Sequence, residues 1–320
     1  MENNTNKRIL ITGANGAMAK ETIKHLIKHG YNNIVMAVRT KHKGEIAKRE
    51  ILQSVKSDQT LRLVVIDGFD MNHPEKITAA VQKLDKTEPF DIVFLAAGFA
   101  VFSDNYESIT YKNTQFEKTV FQNLIGSHIV YVQLKRIGLL SKTARIVLAG
   151  GEGARGISGM IKKPRFESKK SLMGYIHLKS ESLPKYNPMN AIGVSKFVGG
   201  LWVKKLAEIE PDFEVVWFSP GLTSGSSGSS GLKNLPRVKQ TVFNLMFGMM
   251  NFIGQSQSPQ KGGEKYADCL MGNVGKSGEL IGAPKGKTLG KYTEQTPLNT
   301  DLEKIELREA LWDSLKIFDA

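Results

Sequence analysis

The chain alternates short apolar runs with amphipathic stretches through its first two thirds. Residues 8–12 form an apolar run that ends at a glycine loop. Residues 17–29 then place Ile23, Leu26 and Ile27 at helical spacing and stop at Gly30. Strands are expected at 33–38, 61–66 and 91–97. They are separated by a polar helix over 43–54 and a helix over 74–84 with Pro74 in its first turn. The run 91–97 lacks polar alternation, as a strand covered on both faces requires. A long helix over 116–136, a strand over 144–149, a helix over 190–209 and a strand over 213–218 continue the series. The tail reads as loops before a last helix over 301–317 bearing Ile305, Leu307, Leu311, Trp312 and Leu315.

Repeated β-α-β-α predicts an α/β fold: a doubly wound parallel sheet in a three-layer α/β/α Rossmann arrangement, with residues 1–320 as one domain. The Ser-Gly stretch 223–231 is too short to separate domains. With the apolar segment 242–253, rich in Met and Phe, it makes a substrate loop or lid over about 222–260. A plain surface connection and a helix packed on the body remain competing readings.

Composition narrows the classes. At 320 residues, 41% of them hydrophobic, the chain is an ordinary globular one. Its single cysteine, Cys269, excludes an intrachain disulfide and a multi-Cys zinc site, so no metal is expected and a reducing compartment is. The net charge of +13 suits an anionic partner, but the lysines are scattered without interleaved aromatics, which argues against nucleic acid. The longest apolar stretch is broken by Asn244, Gly248 and Asn251 and is shorter than the roughly 20 residues a bilayer span needs. With no targeting segment visible, a cytoplasmic location is expected; peripheral membrane contact stays open.

The chemistry begins at the glycine loop. Gly13 allows the sharp turn after the first strand, Gly16 lets backbone approach a pyrophosphate, and small Ala19 lets the helix pack closely. The helix start at Ala17 and Met18, preceded by Asn15, offers N–H donors and a positive dipole end to phosphates. At the end of the second strand an acid would bind the ribose hydroxyls of NAD. This chain has Arg39-Thr40-Lys41 there, and a guanidinium grips a 2′-phosphate. The expected cofactor is NADP(H).

These residues resemble the short-chain dehydrogenase/reductase family, and the resemblance runs over nearly the whole chain. Asp70-Met71 corresponds to the family's adenine contact, and Ala96-Ala97-Gly98 resembles its Asn-Ala-Gly turn with Ala96 in place of Asn. Asn123-Leu-Ile-Gly126 resembles its Asn-x-x-Gly, and Pro220-Gly221 its turn beside the nicotinamide. Ala37-Val38-Arg39 and the tail look most like the NADPH-using retinol dehydrogenase and protochlorophyllide reductase branch.

The resemblance implies a Ser-Tyr-Lys mechanism, and here the pattern breaks. Lys196 matches the Lys, but four positions earlier stands Ile192, and Gly150-Gly151 occupies the serine position. Lys196 and Asn123 survive, each with a structural alternative. Ser195 reads as a packing residue. Tyr186, in the loop entering the helix, is the candidate substitute acid, by resemblance to enoyl reductases that place their Tyr further upstream. Tyr175 and His177, in an insertion over 155–185, read as surface loop residues, and Glu152 and Glu167 flank the same region.

The leading reading is an atypical NADPH-dependent reductase of a small apolar carbonyl or conjugated substrate. The alternatives are a degenerate NADP(H)-binding sensor or scaffold, and isomerase or cyclase chemistry on the same fold. Pairing of two chains through helices 116–136 and 190–209 is what the resemblance implies.

Overall fold

The computed structural model describes residues 6–55, 60–179, 183–225, 237, 241 and 254–319. Alternating elements open the chain: β1 (Arg8–Thr12), α1 (Ala17–Lys28), β2 (Asn33–Ala37), α2 (Lys41–Ser54), β3 (Arg62–Ile66), α3 (Pro74–Gln82) and β4 (Phe90–Leu95). A hairpin of β5 (Ser108–Tyr111) and β6 (Thr114–Glu117) follows. It leads into α4 (Lys118–Val120), a π turn (Phe121–Ile125) and α5 (Gly126–Arg136). Then come β7 (Leu140–Ala149), α6 (Lys169–Ile176), α7 (Pro188–Ile209), β8 (Glu214–Phe218), α8 (Pro259–Leu270), β9 (Leu280–Gly282), β10 (Thr293–Glu294) and α9 (Ile305–Leu315).

Eight strands form one sheet in the order β10-β9-β8-β7-β4-β1-β2-β3, parallel throughout except for β10 on β9. Successive side chains of a strand point to opposite faces, so each strand feeds two cores. Leu10, Val35, Val93, Leu148 and Trp217 face a core shared with α3, α5, α7 and α9. Ile9, Ile34, Phe94, Val147 and Phe218 face another, shared with α1, α2 and α8. The sheet is thus covered on both sides, as the unbroken apolar run at 92–97 requires.

Several elements differ from the sequence reading. The helix expected over 116–136 begins at Lys118, because Phe116 belongs to β6; Lys112 and Asn113, both at positive φ, make the tight turn of the hairpin. Helix α8 was hidden by Gly262 and Gly263, which lower helix propensity. Gly263 is needed there, since a Cβ would come within 2.5 Å of Glu21 as α8 lies against α1. The last helix is shorter than 301–317: Asn299 Nδ2 donates to Ala154 O (2.8 Å) and Pro164 O (3.0 Å). Those bonds pin Asn299 in extended backbone, Thr300–Glu303 forms only a separate 3-10 turn, and the helix starts at Ile305.

Helix α9 packs on α7. It buries Leu307, Leu311 and Leu315, each contributing about 1.5–3 kcal/mol. Glu309 pairs with Lys205 at 2.7 Å beside them. No helix among the described residues is long and apolar enough to cross a membrane. The apolar segment 242–253, and most of the lid expected over 222–260, lie outside the described residues.

Candidate functional site

In a parallel sheet the loops after all strands emerge at one edge. The order β4-β1-β2 places a topological switch beside β1, where α/β sheets bind ligands. Gly13 (φ +64°) lies there against Ala97, whose Cα a side chain at 13 would approach to 3.1 Å. Thr12 Oγ1 ties the two loops together by accepting the N–H groups of Ala96 (2.9 Å) and Ala97 (3.0 Å). Gly16 caps α1 without a side chain, and the first turn, Ala17 and Met18 included, carries no acid. Together with Asn15 this makes a cradle with a positive end, a shape and charge that fit a pyrophosphate. Arg39 is exposed just past β2. Past β3, Asp70 Oδ1 accepts from Asn72 N (3.2 Å) and Nδ2 (3.0 Å), while Met71 turns inward against Gly126.

At the other end of the edge the π turn widens the helix at Asn123. The Asn123 amide donates to Phe99 O and Thr119 O, both at 2.9 Å, so it braces a local irregularity of a kind that clusters at functional sites. Its Oδ1 lies over Gly98, where a Cβ would stand 2.4 Å away, so only glycine fits. Lys196 Nζ approaches that same Oδ1 at 3.5 Å and donates to Ala149 O at 2.9 Å. Burial pushes the Lys196 ammonium down to about 8. Asn123 and Lys196 thus meet at the carboxyl end of β7.

The two glycines have a physical cause. A Cβ at Gly150 would fall 2.5 Å from the ring of Trp217, which is fully buried and donates its Nε1–H to Lys196 O at 3.1 Å. At Gly151 a Cβ would meet only the Lys196 side chain, at 3.2 Å. Gly150→Ser is therefore expected to lower stability by about 1–3 kcal/mol through overpacking, and Gly151→Ser by far less. Thermal unfolding of the two variants checks this. Equal midpoints would contradict it.

Tyr186 is buried and donates its hydroxyl proton to Val101 O at 2.6 Å, with Thr119 Oγ1 at 3.4 Å. Burial raises it to about 12. Thr119 connects it to Asn123, so Tyr186 belongs to the same network, with its proton engaged. Tyr175 is no surface loop residue. It lies buried in α6, its ring edge-on to Tyr106 at 5.9 Å, in the core the insertion adds. His177 Nδ1 sits 3.0 Å from Gln115 O and its ring packs on Phe116. Ser195 is buried and donates to Ile192 O at 2.8 Å.

Pro220-Gly221 follows β8, and the sequence reading missed what grips it. Gln257 Nε2 (2.7 Å) and Lys265 Nζ (3.1 Å) donate to Pro220 O. Buried Glu152 accepts from Ser219 Oγ at 2.8 Å, which in turn accepts from Gly221 N at 3.2 Å. Glu152 sits just past a strand end, which was its one signal in the sequence. Lys265 lies too far along the chain to give any. Glu167, by contrast, is exposed.

Residues 7–155 match the family model described as short chain dehydrogenase. The short-chain dehydrogenase fogG of Aspergillus ruber is 25% identical over 255 residues, covering 78% of this chain and 69% of its own. An uncharacterised protein of Mycobacterium paratuberculosis superposes with a TM-score of 0.63 at 16% identity, over 98% of this chain and 93% of that one. The actinorhodin polyketide ketoreductase, solved with NADPH, gives 0.55 at 18% identity, over 85% and 92%. Both structural likenesses concern the fold.

Proposed function

We propose an NADPH-dependent reductase of the short-chain dehydrogenase/reductase family, acting on a small apolar carbonyl or conjugated double bond with a non-standard proton donor, a reading supported by the match of residues 7–155 to the short chain dehydrogenase model. The observation that supports it most is the pairing of Lys196 with Asn123 beneath a glycine-lined edge. No hydroxyl stands at position 192, 150 or 151.

When bound, NADPH would supply a hydride to the substrate. Gly13, Asn15, Gly16, Ala17 and Met18 would hold its pyrophosphate, and Arg39 would take the 2′-phosphate. Asp70, Met71, Ala96, Ala97 and Gly98 would lie on its adenine and ribose side. Lys196 would donate to the nicotinamide ribose, and Pro220-Gly221 would border the ring. Tyr186 is the candidate donor of the proton; to act, its hydroxyl must leave Val101 O for the substrate.

The test is reduced-coenzyme oxidation with a panel of enones and aryl ketones. Tyr186→Phe is expected to cut turnover by about 10²-fold with NADPH affinity kept. Tight NADPH binding without turnover of any panel member would overturn the reductase reading.

The pH profile adds a sign. An ammonium depressed from 10.5 to about 8 holds its proton below that value, so activity is expected to fall as pH rises through about 8. Stability moves the other way between pH 8 and 10.5. There the folded chain no longer carries the buried charge, while the unfolded chain still binds the proton. A flat activity profile across this window would separate Lys196 from function.

A further inference from the structure

Charge is unevenly distributed along this chain. The segments 153–166, 215–263 and 280–293 hold 11 of the 44 Lys and Arg residues and none of the 31 acids, so they account for most of the net +13. Two of these segments are brought together in space. Arg155 Nη2 donates to Pro284 O (3.0 Å) and Lys287 O (2.6 Å), and its Nε donates to Gln295 Oε1 (2.7 Å). That guanidinium, saturated by oxygens, stitches the loop after β7 to the loop after β9. Gly156 packs so closely on the backbone of Lys163 that a Cβ would stand 2.8 Å from its Cα.

Lys162 and Lys163 on one loop, and Lys285 and Lys287 on the other, are all exposed, and none has an ion pair among the described residues. Between the loops lies a cavity of about 360 Å³, with Ile157 and Met160 on its apolar side and Lys287 on its polar side. Its wall reaches the nicotinamide turn directly, since Leu222 N donates to Thr288 O at 3.0 Å. A cavity of similar size, about 380 Å³, lies between α3, α5 and Phe318 and shares no residue with the site described above.

We propose that this cavity is the substrate site and that the substrate is a small apolar molecule carrying a carboxylate or phosphate, held by the lysines of the two loops. The proposal rests on the reductase reading and names its substrate class. Apolar walls take the body of the molecule. The unpaired ammonium groups draw in its charged end from solution, and Lys287, which lines the cavity, meets it there. Arg39 cannot fill this role, because it follows β2, on the far side of β1 and β4 from β8 and β9.

The probes are para-acetylbenzoate and its uncharged methyl ester, with binding measured by calorimetry on the NADPH-loaded protein, so that the 2′-phosphate already occupies Arg39. At low ionic strength the acid is expected to bind about tenfold more tightly than the ester. That preference should fall toward unity in high salt, in Lys285→Glu/Lys287→Glu and in Lys162→Glu/Lys163→Glu. Equal binding of the two probes, or a preference that survives both double variants, overturns the anion site. Turnover is read separately. Preferred binding of the acid without reduction leaves the anion site standing and removes the reductase reading, while reduction without preference does the reverse. Co-sedimentation with phosphatidylserine vesicles, if it occurs without any preference for the acid, assigns the lysines to a membrane surface and also overturns the proposal.

Discussion

Ile192→Tyr is expected to raise the rate of aryl ketone reduction by about 10²–10⁴-fold, the usual contribution of a positioned general acid. Residues four apart on a helix share a face, so a phenol at 192 would stand beside the Lys196 ammonium on α7. The ammonium lowers the phenol's affinity for its proton, which makes the phenol a better donor. The backbone at this point is already fixed by Ser195, which donates to Ile192 O whatever side chain 192 carries. Steady-state oxidation of NADPH by the variant and the parent chain gives the ratio. A variant that binds NADPH normally and shows no gain would mean that the absent acid does not limit the reaction.

Arg39→Ala is expected to weaken NADPH by about 10–100-fold and to leave NADH nearly unchanged. A charge-assisted hydrogen bond contributes about 1.5–3 kcal/mol, and Arg39 is the first cation past β2, followed by exposed Lys41 and Lys43. Titration of both reduced cofactors against the two chains measures it. Equal losses for NADPH and NADH would refute the 2′-phosphate assignment.

Much of this architecture was legible in the residues because its signals are local. A parallel sheet buried on both faces writes continuous apolar runs, and a tight strand-turn-helix writes Gly13 and Gly16. What stayed hidden depends on distant neighbours. Gly150 looks like a missing serine until Trp217 is seen filling the space its side chain would need. Tyr175 sits in a segment rich in Lys and Ser, which reads as loop. It is buried because Tyr106, from a distant part of the chain, meets it together with Phe166 of its own insertion. The grip of Lys265 on Pro220 crosses 45 positions and leaves no periodicity to read. The π turn at Asn123 is likewise invisible, since an apolar helix of either winding has much the same pattern.

The docking of α9 on α7 bears on how the protein holds together. The resemblance would have two copies meet at that helix layer, yet here the chain's own final residues lie on it, sealed by three leucines and the Lys205–Glu309 pair. A fold that supplies this cover from within keeps that face of α7 out of water without calling on a neighbour there. Its vulnerability is placed elsewhere: loss of a few turns at the carboxyl terminus would lay bare a greasy stripe on the very helix that carries Lys196.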